Sequence, residues 1–137
     1  MDRVFLDANV LFSIAYDPSA RIAAILKLAD AEFVTSRFAA AEALRNIDAK
    51  KPSQLHRLRR ILKKMKLVSE GEVIKLPEGL SLAEKDRPIM SASIECGATH
   101  LLTGDKHFRH LFGRVVHGVL LMRPADYLRM REGSSER

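Results

Sequence analysis

The sequence lacks several features that hold small proteins together or direct them to a membrane. It contains one cysteine, Cys96, which excludes an intramolecular disulfide and a zinc site built from several cysteines. No apolar run approaches the roughly 20 residues needed to cross a bilayer. The first residues enter a strand-like run and reach an acid at once, which is unlike a signal peptide. We therefore expect a cytoplasmic protein with no membrane partner.

Length and composition favour one compact domain. A chain of 137 residues suits a single hydrophobic core, and its 47% hydrophobic and 29% charged residues are ordinary for a soluble globular protein. The sequence shows no internal repeat, low-complexity tract or interdomain linker. We predict one domain over residues 1–132, followed by a disordered tail over residues 133–137.

The net charge of +6 is concentrated in one segment. Residues 50–66 contain eight of the 23 basic residues and no acid, whereas the other 15 basic residues are outnumbered by 17 acids. Such a segment attracts polyanions, above all nucleic acid. The residues predicted to bind nucleic acid are Lys50, Lys51, Arg57, Arg60, Lys63 and Lys64. A solvated helix face or contact with an acidic partner would produce the same pattern.

Short apolar runs alternate with stretches of helical spacing along the chain. The predicted strands are residues 4–6, 33–35, 73–76, 100–103 and 119–122, with a short additional piece at 115–116. The predicted helices cover residues 21–29, 38–47, 52–65 and 86–94, and a terminal helix begins at Pro124. This alternation predicts an α/β fold, a three-layer α/β/α sandwich with a mostly parallel central sheet.

Four acidic residues stand where this fold would bring them together. Asp7 follows the first strand directly, and Asp105 follows a later strand. Glu42 lies in the helix that Ser36 begins, and Asp86 lies at another helix start. Ligands of open parallel α/β sheets bind at the carboxyl ends of the strands. We therefore expect the four acids to meet on one rim.

Each acid also has an ordinary structural explanation. Asp7 and Asp105 are residues that commonly form turns, and Asp86 is a good helix cap. Glu42 could pair with Arg45, its neighbour on the same helix face. Four such coincidences on one predicted rim favour the functional explanation.

Clustered carboxylates repel one another unless a cation offsets their charge. Mg²⁺ prefers oxygen ligands and keeps several waters, so a few carboxylates around an open position suit it. Two such ions about 4 Å apart would hold the attacking and leaving oxygens of a phosphoryl displacement. The sequence shows no convincing Ser–His–Asp or Cys–His arrangement, so we predict hydrolysis by metal-activated water.

Several short motifs follow the order and spacing of a known family. They are residues 6–9 (LDAN), Thr35-Ser36 with Glu42, residues 85–90 (KDRPIM), Gly97-Ala98 and residues 101–108 (LLTGDKHF). On these motifs the sequence resembles PIN-domain ribonucleases, particularly the VapC-like toxins of prokaryotic toxin–antitoxin pairs. The resemblance covers nearly the whole chain and implies a small α/β/α sandwich, dependence on Mg²⁺ or Mn²⁺, and hydrolysis of RNA.

The resemblance also assigns roles by position. It implies that the catalytic and metal-binding acids are Asp7, Glu42, Asp86 and Asp105. Asn9, Ser36 and Thr103 match polar positions that support the site. Thr99 is a departure, because many relatives have an acid there, and we expect this difference to alter a secondary contact of the site.

The leading hypothesis is a metal-dependent endoribonuclease that holds one or two Mg²⁺ or Mn²⁺ ions and leaves 5′ phosphate and 3′ hydroxyl ends. The resemblance suggests a toxin role, a cognate antitoxin partner and a homodimer. The alternatives are a catalytically inactive PIN-like nucleic-acid-binding module and a DNA-directed nuclease. His107 and His110 are interpreted as surface or packing residues, and Phe38 as part of the core.

Overall fold

The computed structural model describes residues 1–69 and 82–135. Its strands are β1 (Asp2–Leu6), β2 (Ala31–Ser36), β3 (Lys66–Val68), β4 (His100–Leu102), β5 (Val115–Val116) and β6 (Val119–Met122). Its α-helices are α1 (Ala8–Tyr16), α2 (Arg37–Lys50), α3 (Leu55–Lys63), α4 (Arg87–Glu95) and α5 (Pro124–Ser135). Short 3₁₀ helices span Arg21–Lys27, Pro52–Gln54, Glu84–Asp86 and Lys106–Leu111.

The strands form one sheet in the order β3-β2-β1-β4-β6-β5. Neighbouring strands are parallel, except that β5 and β6 are antiparallel. Helices α1, α2 and α3 pack against one another, and α4 contacts β2 and β4. The chain moves from β1 towards β3 and then returns to β4 on the other side of β1. Because such crossovers are right-handed, α4 covers the opposite face from α1, which confirms the predicted α/β/α sandwich.

The hydrophobic core lies between the sheet and its helices. Val4, Phe5 and Leu6 of β1 are fully buried, as expected for a central parallel strand covered on both faces. Leu11 and Ile14 of α1 are also fully buried. Each side chain of this size contributes roughly 1.5–3 kcal/mol when it is removed from water. The core thus gives a rigid base to the loops that follow the strands.

The sequence does not predict strand β3. This edge strand has three residues, and its Lys66 and Leu67 are exposed, so it lacks the apolar pattern that marks a buried strand. The strand predicted at residues 73–76 lies outside the described residues.

Three other elements refine the predictions. Residues 21–27 form a 3₁₀ helix where an α-helix is expected. The last strand comes in two pieces as predicted, and His117 (φ 48°) and Gly118 (φ 84°) form the positive-φ turn that a two-residue hairpin needs. Helix α5 runs to Ser135, so it includes the first part of the expected tail. In the ranges that the structure describes, no helix is both long and apolar enough to cross a membrane.

Candidate metal centre

A cleft opens at the carboxyl edge of the sheet, beside the ends of β1 and β4. Strands β2 and β3 lie on one side of β1 and β4 lies on the other, so the chain changes direction here. Such a switch point leaves a crevice between diverging loops, where open α/β sheets bind ligands. The cleft has a volume of about 540 Å³, and its lining includes Asp7, Glu42, Asp86 and Asp105. The structure therefore brings the four acids together.

Asp7 occupies the turn between β1 and α1 and is 5% exposed. Its Oδ1 accepts a hydrogen bond from the N–H of Ala8 (2.7 Å), and its Oδ2 accepts one from Oγ1 of Thr103 (2.8 Å). Burial raises the pKa of Asp7 from 3.8 to about 6, although these hydrogen bonds oppose the rise. The negative charges of Glu42 and Asp105 raise it further. Asp7 is therefore a carboxylate that gains from a nearby cation.

Asn9 and Thr103 tie the end of β1 to the end of β4. Besides donating to Asp7, the Thr103 hydroxyl accepts the N–H of Asp105 (3.1 Å). Oδ1 of Asn9 accepts the N–H of Gly104 (2.8 Å), and its Nδ2 donates to Thr103 Oγ1 (3.3 Å). A Cβ on Gly104 would stand 3.4 Å from Asn9 Oδ1, which is an ordinary van der Waals contact. Together these hydrogen bonds hold Asp7 and Asp105 in a defined relation.

Helix α2 brings Glu42 to the cleft. Ser36 ends β2 and caps this helix, since its buried Oγ accepts the N–H of Ala39 (3.0 Å). The cap sets where the helix begins and therefore which side of it faces the cleft. Within the described residues, Glu42 forms no ion pair with Arg45, so that ordinary explanation is not observed.

Asp86 is 7% exposed, and its Oδ2 is buried without a hydrogen-bond partner in the described part of the chain. The residue stands at the N-cap position of α4, yet its side chain makes no capping hydrogen bond. Burial raises the pKa of Asp86 and the charge of Asp105 adds to the rise, whereas His107 and Lys85 oppose it. A buried polar atom without a partner costs about 1–3 kcal/mol, and more when charged. This oxygen therefore fits the role of a cation ligand.

Asp105 and His107 form a close pair on the same rim. Oδ1 of Asp105 accepts the N–H of His107 and lies 2.9 Å from Nδ1 of its ring. The same Nδ1 is 3.9 Å from Oδ2 of Asp86. Asp86, Asp105 and His107 thus offer possible metal-ligand atoms that all lie within 4.8 Å of one another. The sequence offers one signal for this pair, because His107 follows Asp105 by two residues. A turn at that spacing brings the imidazole ring back to the carboxylate.

These donor groups fit a hard divalent cation. Within the described ranges, no Lys or Arg forms an ion pair with any of the four acids. Their mutual repulsion contributes to the raised pKa values of Asp7 and Asp86. Carboxylate oxygens around an open, polar cleft are the ligands that Mg²⁺ and Mn²⁺ accept.

Other side chains of the cleft lie around the acids. Lys50 and Lys85 line it, which places two positive charges beside the acids. Phe38 also lines the cleft and is 43% exposed, so its predicted place in the core is wrong. It stands on the first turn of α2, on the side that lines the cleft, whereas its neighbours Ala39 and Ala40 are buried.

The six basic residues predicted to bind nucleic acid are divided in space. Lys50 lines the acidic cleft. Lys51 instead donates a hydrogen bond from its Nζ to the backbone carbonyl of Tyr16 (2.8 Å), and its ammonium group lies over the aromatic ring of Tyr16. The remaining four line a second groove of about 730 Å³ beside the start of β2: Arg57, Arg60, Lys63 and Lys64. The turn at Pro52–Gln54 separates α2 from α3, so one basic run in sequence becomes two surfaces. Nucleic-acid binding by these residues stays a prediction.

Thr99 lies at the opposite edge of the sheet from the acids. It precedes β4, its N–H donates to the carbonyl of Arg3 (2.8 Å), and its Oγ1 accepts the N–H of Arg3 (3.0 Å). Strand β4 separates it from Thr103. The expectation that Thr99 alters a secondary contact of the metal site is therefore wrong.

Comparison with known proteins identifies the family to which the chain belongs. Residues 4–112 match the family model described as the PIN domain. The chain is thus an α/β protein whose strand-end acids lie within a PIN domain match. Since that match covers most of its length, the chain belongs to the PIN domain family. No curated protein matches it significantly.

Solved structures with a similar fold include proteins from three bacteria. VapBC-1 of nontypeable Haemophilus influenzae has a TM-score of 0.61 and 15% identity, and the match covers 90% of this chain and 98% of that one. VapBC2 of Rickettsia felis, bound to a DNA fragment from its promoter, has a TM-score of 0.59 and 17% identity, with 88% and 98% covered. VapC20 of Mycobacterium tuberculosis, a Sarcin-Ricin loop cleaving toxin, has a TM-score of 0.59 and 8% identity, with 78% and 93% covered. These similarities support the fold.

Proposed function

We propose that this protein is a metal-dependent endoribonuclease and the toxin of a toxin–antitoxin pair. The observation that carries the proposal is the set of four acids around one cleft, where Oδ2 of Asp86 is buried and has no hydrogen-bond partner among the described residues. An arrangement that serves only stability would pair these carboxylates within the chain. Among the described residues no Lys or Arg pairs with them, so their charge is available to a cation that binds in the cleft.

The residues of the cleft have different proposed roles, which follow from their positions. Asp7, Glu42, Asp86 and Asp105 would hold one or two Mg²⁺ or Mn²⁺ ions, while Asn9 and Thr103 orient Asp7. When bound, such an ion activates water and offsets negative charge on a phosphate. Lys50 and Lys85 attract the phosphate backbone towards the acids. Ser36 fixes the start of the helix that presents Glu42.

RNA is the proposed substrate because the positive charge of the chain and the activity of a protein of similar fold both favour it. The chain has a net charge of +6, and its second groove carries four basic side chains beyond the cleft. A protein of similar fold, VapC20, is a toxin that cleaves the Sarcin-Ricin loop. We propose that RNA is cleaved at the cleft and that the basic groove attracts its flanking chain.

The toxin role is proposed from the two similar VapBC structures. A toxin of this kind needs an antitoxin partner, which we expect to be encoded by a small reading frame directly beside this gene. Co-expression of that frame should give a stable complex and suppress cleavage. Finding no such neighbour would favour a free-standing RNA-processing enzyme. The predicted homodimer is measurable by light scattering of the purified chain.

The central experiment is cleavage of a mixed RNA pool with Mg²⁺, with Mn²⁺ or with chelator, followed by mapping of the ends. We expect cleavage only with metal, with 5′ phosphate and 3′ hydroxyl ends, and none by Asp7→Asn. A parallel DNA pool separates the RNA-directed from the DNA-directed enzyme. RNA binding without cleavage under every metal condition would instead identify an inactive binding module.

A further inference from the structure

We propose that His107 is a nitrogen ligand of the metal site, beside Asp86 and Asp105, and that it makes the site prefer Mn²⁺ to Mg²⁺. This inference rests on the proposed function, because it concerns the ion that the acids would hold. It extends the assignment, since the resemblance to relatives implies carboxylate ligands alone.

The first support is the position of the imidazole ring. Its Nδ1 is 2.9 Å from Oδ1 of Asp105 and 3.9 Å from Oδ2 of Asp86. Adjacent and opposite ligands of an octahedral ion with bonds of about 2.1 Å are separated by about 3 Å and about 4.2 Å. The ring nitrogen therefore stands from each of the two oxygens at a distance close to that between two ligands of one ion.

The second support is independent of the ring and comes from Asp86. Its side chain is 10% exposed, and its Oδ2 has no hydrogen-bond partner in the described residues. This buried oxygen lies 3.9 Å from Nδ1 of His107, and Asp86, Asp105 and His107 each offer a ligand atom within 4.8 Å of those of the other two. The His107 ring is too far from it to supply a hydrogen bond, so an ion between the two would satisfy both groups.

The preference for Mn²⁺ follows from the nitrogen donor. Mg²⁺ favours oxygen ligands almost exclusively, whereas a site that includes imidazole gains affinity along the series of transition metals. Ligation needs the neutral ring with Nδ1 free of its proton. When the ion binds, the proton on Nδ1 of His107 moves to Nε2 of the same ring or to solvent. Nδ1 of His107 and Oδ1 of Asp105 then each bond to the ion, and these bonds replace the present contact between the two atoms.

The test compares His107→Asn with His110→Asn, a matched change of an exposed histidine on the same 3₁₀ helix. Pulsed electron paramagnetic resonance of bound Mn²⁺ detects a directly coordinated nitrogen. We expect a nitrogen signal in the wild type and in His110→Asn, and none in His107→Asn. Calorimetric titration should show Mn²⁺ affinity falling about tenfold or more in His107→Asn, with Mg²⁺ affinity changed less than about threefold.

The outcomes separate this inference from the proposed function. Tight Mn²⁺ binding without a nitrogen signal, or with a signal that survives His107→Asn, would overturn the role of His107 and leave the metal site intact. A chain that binds neither Mn²⁺ nor Mg²⁺ would overturn both. Because the His107 side chain is 41% exposed, the variant should fold, and its melting temperature in chelator should match that of the wild type.

Discussion

Asp2 and Asp7 stand at opposite ends of strand β1 and face opposite edges of the sheet. Oδ2 of Asp2 accepts hydrogen bonds from the hydroxyl of Tyr127 (2.7 Å) and the guanidinium of Arg131 (3.2 Å). Asp7 accepts hydrogen bonds from neutral groups such as the Thr103 hydroxyl. The same residue type therefore has a cation partner at the amino edge, and none among the described residues at the carboxyl edge.

The amino edge forms a complete network within the chain. The Tyr127 hydroxyl also accepts a hydrogen bond from Arg131 (2.8 Å), and its ring packs edge-on against His100. Burial and the hydrogen bond to Asp2 raise the pKa of Tyr127 to about 12, and burial lowers the pKa of His100. Both groups are therefore neutral at pH 7, and the network joins α5 to β1 and β4 without any ligand.

The contrast lies in how the charge of a carboxylate is compensated at the two ends of one strand. At the amino edge, Asp2 is only partly buried and its charge is compensated by Arg131 of α5. At the carboxyl edge, burial raises the pKa of Asp7 and Asp86 and no Lys or Arg in the described ranges pairs with them. The second arrangement costs stability unless a cation binds, and this is the physical signature of a site.

The largest expected effect is on RNA cleavage by amide variants at the two ends of β1. Asp7→Asn should lower the rate by about 10³-fold or more, because even groups behind a metal ligand are worth about 10–100-fold. Asp2→Asn should stay within about twofold of the wild type. Single-turnover cleavage in Mn²⁺ measures both. Equal losses in the two variants would mean that the edges do not differ in function.

The next effect is on the stability of the metal-free protein. The folded-state pKa of Asp7 is about 6, above its ordinary 3.8, so the folded protein holds this proton more strongly and its stability falls as pH rises from about 4 to 6. The difference corresponds to ~3 kcal/mol. Asp7→Asn should match the wild type near pH 4 and exceed its stability by up to this amount at pH 8. Urea unfolding in chelator at several pH values measures it, and an equal offset at every pH would contradict it.

Adding metal should also change the stability of the folded protein, by a smaller amount. Ligand at about 100 times its Kd stabilises the folded state by ~2.7 kcal/mol. Because the acids must be ionised to bind, this gain should be large at pH 8 and fade below pH 6. Thermal unfolding with and without Mn²⁺ measures it. Asp7→Asn should lose most of the gain and Asp2→Asn should keep it.

At the amino edge, Tyr127→Phe should cost about 1 kcal/mol, the usual worth of a hydrogen bond, and more if Asp2 is left poorly solvated. Cleavage by this variant should be unchanged, since the network lies across the sheet from the acids. Urea unfolding and cleavage assays on the same preparation test both statements. A loss of cleavage larger than the loss of folded protein would show that the two edges are coupled.

The smallest expected effect separates the two basic surfaces. Lys50→Gln, at the cleft, should raise the KM for RNA about threefold. It should also reduce the slope of log binding affinity against log salt concentration by about one, because one phosphate contact is lost. Arg60→Gln, in the second groove, is its matched change of charge. A comparable effect of Arg60→Gln would extend the RNA path into that groove, and no effect would confine it to the cleft.

Much of this arrangement can be predicted from local sequence. The fold class follows from alternating apolar runs and helical stretches, because strand and helix periods are set by the backbone. Asp7 and Asp105 are recognisable because each directly follows a strand, so their edge of the sheet is known once the strands are parallel. Glu42 and Asp86 are less certain from sequence, since each has a helical explanation that only the observed contacts could test.

What the sequence by itself determined is the α/β sandwich and the four candidate acids at its carboxyl edge. Only the tertiary structure decided that Oδ2 of Asp86 has no partner among the described residues, that His107 lies against Asp105, and that Phe38 lines the cleft. It also divided the basic run between two surfaces. The reason is physical: burial, pairing and charge compensation depend on distances between residues far apart in the chain, and local periodicity carries no information about those distances.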